Sequence, residues 1–168
     1  MVVLGMDIST YCGLARTDYS GEIVGKCINF PELKGFDRLE AIRKEVVRIV
    51  EAWNPDKIII EDFAIYHKSS VVVTVSCGIV VRAALHARGF AWWEIPPTSL
   101  KKWTTGKGNA SKAEMAVAVK ARWGYASPSD DIIDAVALAK LGMHLVQFPQ
   151  DAPKGLRVDG KQRQGVLV

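Results

Sequence analysis

The chain has 168 residues, 49% of them apolar and 24% charged, and a net charge of +4. That length suits one domain with a single buried core, and that balance excludes wholesale disorder. No apolar run reaches membrane-span length, the N-terminal stretch lacks a basic leader pattern, and Cys12, Cys27 and Cys77 lack the spacing of a disulfide framework or zinc site, so a reducing cytoplasm is expected.

Val2 to Ile8 is a nearly continuous apolar run, the mark of a buried central strand that carries Asp7 near its end. Leu14 to Thr17 reads as a second strand. The Asp18-Tyr19-Ser20-Gly21 turn leads to a third over Glu22 to Asn29, which makes an antiparallel meander. Asp37 can cap a helix running to Trp53, where Leu39, Ile42, Val46, Ile49 and Val50 keep helical spacing and Asn54-Pro55 stops it. Lys57-Ile58-Ile59-Ile60-Glu61 is a second buried strand. A strand, a crossover helix and a strand place Asp7 and Glu61 on parallel neighbours, near the C-terminal ends where such sheets bind ligands.

Ser70 to Arg88 has the valine content of a strand, but its length, the stop at Gly89 and the βαβ rhythm favour a helix. Phe90 to Ile95 is a fifth strand ended by Pro96-Pro97. A helix starts at Ser111 with Glu114 completing a capping box and ends at Gly124. For the last helix Ser127 is the expected N-cap, with Pro128 at the first helical position and Asp130 completing a second capping box. Residues 1–150 form the expected domain. Beyond Phe148-Pro149 little apolar content remains, so residues 151–168 read as a flexible basic tail.

Four carboxylates stand out against this pattern. Asp134 shares a helical stripe with Leu138, Leu141 and Leu145, so it faces the core, and Asp131 lies one turn earlier at the edge of that face. An unpaired charge facing a core costs several kcal/mol on the order of a broken buried pair. Asp7 and Glu61 could each accept backbone hydrogen bonds or pair with a lysine; all four acting so is a poor account. Converging carboxylates repel unless they share a proton or hold a cation. Together they can hold two Mg²⁺ or Mn²⁺ ions, the hard cations that prefer carboxylate oxygen and that cleave phosphodiesters in pairs. Asp130 is explained by its cap.

Lys101, Lys102, Lys107, Lys112, Lys120 and Arg122 fall in one stretch with Glu114 as its sole acid, which fits a phosphate-bearing partner. Trp92, Trp93, Trp103 and Trp123 read as core or subunit contacts, and Trp103, which lies in that stretch, is also a candidate to stack on nucleic acid. Gly106-Lys107-Gly108 lacks P-loop spacing, so no nucleotide cofactor is expected, and His67, His86 and His144 share no metal spacing.

In order and spacing, Leu4-Gly5-Met6-Asp7, Ile59-Ile60-Glu61, the segment Ser99-Leu100-Lys101 to Lys112, and Asp131 with Asp134-Ala135-Val136-Ala137-Leu138-Ala139 resemble the RuvC-type Holliday-junction resolvases of the ribonuclease H-like superfamily. The resemblance spans about residues 2–146. It implies a mixed five-stranded α/β sheet with strands 1–3 antiparallel, helices on both faces, and a homodimer. It further implies that Asp7, Glu61, Asp131 and Asp134 are the catalytic metal ligands, two ions per site, and that Lys101 and Lys112 contact DNA phosphates near the scissile bond, where Lys112 can stabilise transition-state charge. An aromatic after the glutamate, Phe63 or Tyr66, contacts junction bases in the family. The usual Pro-Gly turn after the first aspartate is here Ile8-Ser9-Thr10, with Gly13 further on.

The activity implied is metal-dependent resolution of four-way DNA junctions by paired symmetric nicks, with the first long helix or the 70–89 helix joining two protomers. The competing readings are a related nuclease acting on flaps, branched DNA or structured RNA, an actin-like ATPase, and a non-catalytic DNA-binding module. An actin-like fold needs a far longer chain, and a binding module has no use for four inward carboxylates.

Overall fold

A computed structural model describes residues 1–63 and 71–160. Six strands form one mixed sheet: β1 (Val2–Asp7), β2 (Tyr11–Asp18), β3 (Ile23–Asn29), β4 (Lys57–Glu61), β5 (Ala91–Ile95) and β6 (Arg157–Gly160), in the order β3-β2-β1-β4-β5-β6. The meander β1–β3 is antiparallel, β1, β4 and β5 run parallel, and β6 returns antiparallel to β5. Five helices cover the faces: α1 (Gly35–Trp53), α2 (Val71–Ala87), α3 (Pro97–Thr105), α4 (Lys112–Trp123) and α5 (Asp130–Gln147).

Strand alternation divides the apolar side chains into two cores. Leu4, Met6, Ile58, Ile60 and Trp92 point one way and meet Ile42, Val46 and Ile49 of α1 and Val81 and Leu85 of α2. Val3, Ile59 and Ile95 point the other way and meet Leu100 of α3, Met115 and Val119 of α4, and Ile133, Leu138 and Leu141 of α5. Each fully buried Leu or Ile among these contributes roughly 1.5–3 kcal/mol of transfer free energy. The alternation also decides where the acids go. Asp7 follows Val3 and Gly5 onto the α5 face, and Glu61 follows Ile59 onto the same face.

Helix α5 lies unusually near the sheet because two glycines make room for its backbone. A Cβ on Gly5 would run into the main chain at Ala135 and Ala139, and one on Gly13 would run into the carbonyl of Asp131. Gly13 is also the cross-strand partner of Asp7. The first turns of α5 are thereby held against the end of β1.

Several expectations are corrected. The sheet has a sixth strand, β6, formed from residues read as tail; residues 161–168 of that segment lie outside the described residues. Pro97 does not merely end β5 but opens α3 from its first position, where the missing N–H is harmless. Helix α1 begins at Gly35 with Lys34 as an N-cap that makes no side-chain bond, and Asp37 sits in the first turn, favourably placed for the helix dipole. Helix α5 is capped by Ser129, whose side chain accepts from the Ile132 N–H, and the Ser127 hydroxyl instead accepts from the Ser129 N–H. The valine-rich segment is the helix α2, and the capping box of Ser111 and Glu114 is present with Gly124 ending α4.

Candidate active site

Asp7 and Glu61 are the last residues of adjacent parallel strands, and the register Gly5–Ile59 and Met6–Ile60 brings them level. Above them α5 lays Asp131 and Asp134 over the strand ends, Asp131 through the contact of its carbonyl with Gly13 and Asp134 one turn on toward β4. All four carboxylates are half-buried. The structure therefore gathers the four acids from three distant stretches of chain onto one face.

Their electrostatics show mutual proximity. Burial, then the charges of Asp134 and Asp131, push the Asp7 carboxyl up from 3.8 to about 7, against a smaller pull from Lys112. Burial, Asp7 and Asp134 hold Glu61 well above the usual carboxylate range, with Lys101 opposing. Asp134 is raised to about 6, chiefly by burial, although Lys101 and Lys112 pull it down. Asp131 is raised by burial in the same way. The local balance is short of positive charge, so near neutral pH the cluster retains protons or takes a cation.

The donor set fits a divalent metal. It offers hard carboxylate oxygens from rigid strand ends and a helix, the donors that hard divalent cations prefer. Among the described residues no three such side chains already form a coordination sphere.

The lysines differ in their relation to this cluster. Lys112 opens α4 at the rim, with Nζ 3.0 Å from Asp130 Oδ2. Asp130 is thus the first residue of α5 and a tether for Lys112, not the capping-box acid expected. Lys101 projects from α3, half-buried, and acts on both Asp134 and Glu61. Lys107 is exposed and pairs with Glu114 at 3.2 Å. Trp103 is not brought to the carboxylates: it stacks on Trp123 at 5.7 Å, touches His144, and lies under the guanidinium of Arg122. Phe63 stands two residues beyond Glu61, its ring under the Arg82 guanidinium, while Tyr66 and His67 lie outside the described residues. His86 is exposed on α2, and His144 bonds Asp151 at 2.8 Å. Trp92 is buried in the core as expected.

Sequence reasoning missed an ion network directly behind the strand ends. Arg82 Nε meets Glu94 Oε1 at 2.5 Å, and Arg157 Nη2 meets Glu94 Oε2 at 2.8 Å and Asp62 Oδ1 at 3.0 Å. A signal was available: Arg82 is the sole charge between Val71 and Leu85, and Glu94 interrupts Trp92-Trp93-Glu94-Ile95. Opposite charges in two apolar elements are expected to find each other.

A sequence model described as crossover junction endodeoxyribonuclease RuvC matches residues 3–141. The RuvC of Synechococcus sp. (strain WH7803) is 32% identical over 133 residues, covering 78% of this chain and 79% of that protein. The RuvC of Prochlorococcus marinus (strain NATL1A) is 31% identical over 157 residues, covering 86% of this chain and 99% of that protein. Among solved structures, Thermus thermophilus RuvC in complex with a Holliday junction substrate superposes with a TM-score of 0.75 at 21% identity, over 91% of this chain and 99% of that one. The yeast mitochondrial Holliday junction resolvase follows at TM-score 0.55 and 13% identity, over 88% and 84% of the two chains. At these identities the structures establish the shared fold.

Proposed function

The chain belongs to the RuvC family of crossover junction endodeoxyribonucleases, and from that premise we propose how it resolves Holliday junctions: by paired symmetric nicks made at Asp7, Glu61, Asp131 and Asp134. The observation that carries this reading is the convergence of four carboxyls with raised proton affinity at the ends of β1 and β4 and the start of α5. Four carboxyls gathered on one face with few basic partners form an arrangement that a divalent cation neutralises.

In this reading the four carboxylates hold two Mg²⁺ or Mn²⁺ ions. Held there, such ions would supply the positive charge that lowers the pKa of a water and offsets negative charge on a phosphodiester oxygen. The chain's own groups do the rest. Asp7 and Glu61 give up their protons and fix the position of the site on the rigid sheet. Asp134 and Asp131 close it from the helix side. Lys112, tethered at the rim by Asp130, faces the incoming phosphate and offers charge where negative charge grows. Lys101 steadies the backbone on the opposite flank, and Lys107 adds a phosphate contact further out along the strand. Phe63 meets bases at the branch point.

Two nicks related by a twofold axis need two copies of the site, so the working unit is a homodimer. Helix α2 supports this: Val72 is 73% exposed and Ile79 54% exposed on a helix that is apolar nearly all round. Such a face suits a second copy of itself. No described helix is long and apolar enough to cross a membrane. The DNA substrate and the three free cysteines suit the cytoplasm of a bacterial or phage-infected cell.

The test is cleavage of synthetic substrates in Mg²⁺ or Mn²⁺: an immobile four-way junction, a flap, a linear duplex and an RNA–DNA hybrid. Symmetric nicks in the junction at the lowest protein concentration support the reading. Preferential cutting of the flap or the hybrid would replace it with the broader branched-substrate nuclease.

A further inference from the structure

Arg82 is 9% exposed and carries its charge into the core face of an otherwise apolar α2. A buried ion pair is a weak source of stability, since apolar residues of similar volume often serve as well or better. Its presence calls for what the guanidinium does with its geometry. Nε takes Glu94, Nη1 donates to the carbonyl of Gly78 at 3.3 Å, and Nη2 donates to the carbonyl of Glu61 at 2.9 Å. The flat face of the same group lies 4.3 Å from the centre of the Phe63 ring.

Glu94 is in turn fixed so that it can orient Arg82. Trp92 Nε1 donates to its Oε1 at 3.1 Å, and Arg157 of β6 holds its Oε2 while also reaching Asp62, the residue between Glu61 and Phe63. Gly78 completes the arrangement: a Cβ there would strike the Phe63 ring and crowd Arg82 Nη1. Three consecutive residues at the end of β4 are thus supported from the face opposite the carboxylate cluster.

We propose that Arg82 is a positioning residue that locks the main chain of Glu61 to the ring of Phe63, so that the metal-binding carboxylate and the aromatic beside it are set as one unit. This rests on the reading of Glu61 as a metal ligand. Glu94 sets the guanidinium's plane, and β6 closes the network through Arg157. The C-terminal strand thereby contributes to the site without reaching it.

The experiment compares wild type, Arg82→Lys, Gly78→Ala, Phe63→Ala and the Arg82→Lys/Phe63→Ala pair. Two quantities are read: Mn²⁺ affinity of the DNA-free protein, from the electron paramagnetic resonance of free ion, and single-turnover cleavage of a four-way junction at saturating protein. Arg82→Lys keeps a charge beside Glu94 but loses the planar fork. It should weaken Mn²⁺ binding and slow cleavage by about tenfold each, the usual scale for groups that orient a ligand, with junction affinity within about twofold. Added to Phe63→Ala, it should cost less than the product of the two single losses, because both act through one contact.

Gly78→Ala keeps both Arg82 and Glu94, drives a Cβ into the Phe63 ring and against Arg82 Nη1, and favours the helix by propensity. It should still slow cleavage while the melting temperature holds, because it displaces the ring. Wild-type Mn²⁺ affinity in Arg82→Lys, or fully multiplicative losses, would overturn the proposal. If Arg82→Lys does not fold, Gly78→Ala decides: slowed cleavage upholds it and wild-type cleavage overturns it. If wild type binds Mn²⁺ but leaves junctions whole, the substrate reading fails, and the Mn²⁺ affinities still decide the positioning role.

Discussion

Replacing Asp7 by asparagine should abolish cleavage and yet make the metal-free protein more stable. The Asp7 carboxyl is raised from 3.8 to about 7 by burial and by Asp134 and Asp131. At about 1.4 kcal/mol per tenfold, ionising it inside the fold costs up to roughly 4 kcal/mol more than ionising it in the unfolded chain. The sign follows from that direction. The neutral form stabilises the fold fully below 3.8, and that contribution is lost as pH rises through about 7. Asparagine buries a polar amide in the same place, which costs about 1–3 kcal/mol where its hydrogen bonds are unmade, so it should recover about half, or about 2 kcal/mol, at pH 8. For a domain of this size that is about 4–8 °C in Tm. Scanning calorimetry in EDTA at pH 8 should show the gain, and it should shrink toward zero near pH 4. With saturating Mg²⁺ the order should reverse, because wild type alone gains binding free energy, about 2.7 kcal/mol at a hundred times Kd. A variant less stable than wild type in EDTA at pH 8 would refute the reasoning, since it would mean the carboxylate already has a stabilising partner.

The raised groups also predict a pH-dependent metal requirement. Metal competes with protons for Asp7 and Asp134, held near 7 and 6, so the half-saturating Mg²⁺ concentration should fall as pH rises from about 6 to 8; a flat profile would contradict it. Lys112→Ala should lower single-turnover cleavage by about a hundredfold or more with little change in junction affinity, read by cleavage and gel shift on the same substrate. Ile79→Asp, on the exposed apolar face of α2, should turn a dimer into a monomer by sedimentation and reduce paired nicks to single ones.

The candidate site was legible in the sequence where periodicity and chemistry disagree. Asp134 on a leucine stripe, and Asp7 and Glu61 at the ends of apolar runs, announced themselves because charge is out of place there. The meander, α1, α2 and the capping box of α4 followed from local patterning, which long periodic elements preserve. What stayed hidden depends on contacts between distant segments. β6 is held to β5 by a backbone ladder and by Arg157 reaching Asp62 and Glu94, none of which the polar run Arg157-Val158-Asp159-Gly160 displays. Pro97 was legible as a stop and not as a start, since proline does both. Ser129 took the cap from Ser127 by two residues, within the usual ambiguity of helix ends. Trp103 sits among lysines in sequence and against Trp123 in space, a pairing between separate helices that its neighbours along the chain do not display.

The most direct measurement is product mapping on an immobile four-way junction cut by wild type and by Asp134→Asn in Mg²⁺. The account predicts wild-type nicks at matching positions on two opposed strands, and an Asp134→Asn protein that binds the junction with wild-type affinity while leaving it whole. Nicks unrelated by the junction's twofold axis, or cutting by Asp134→Asn at the wild-type rate, would contradict it.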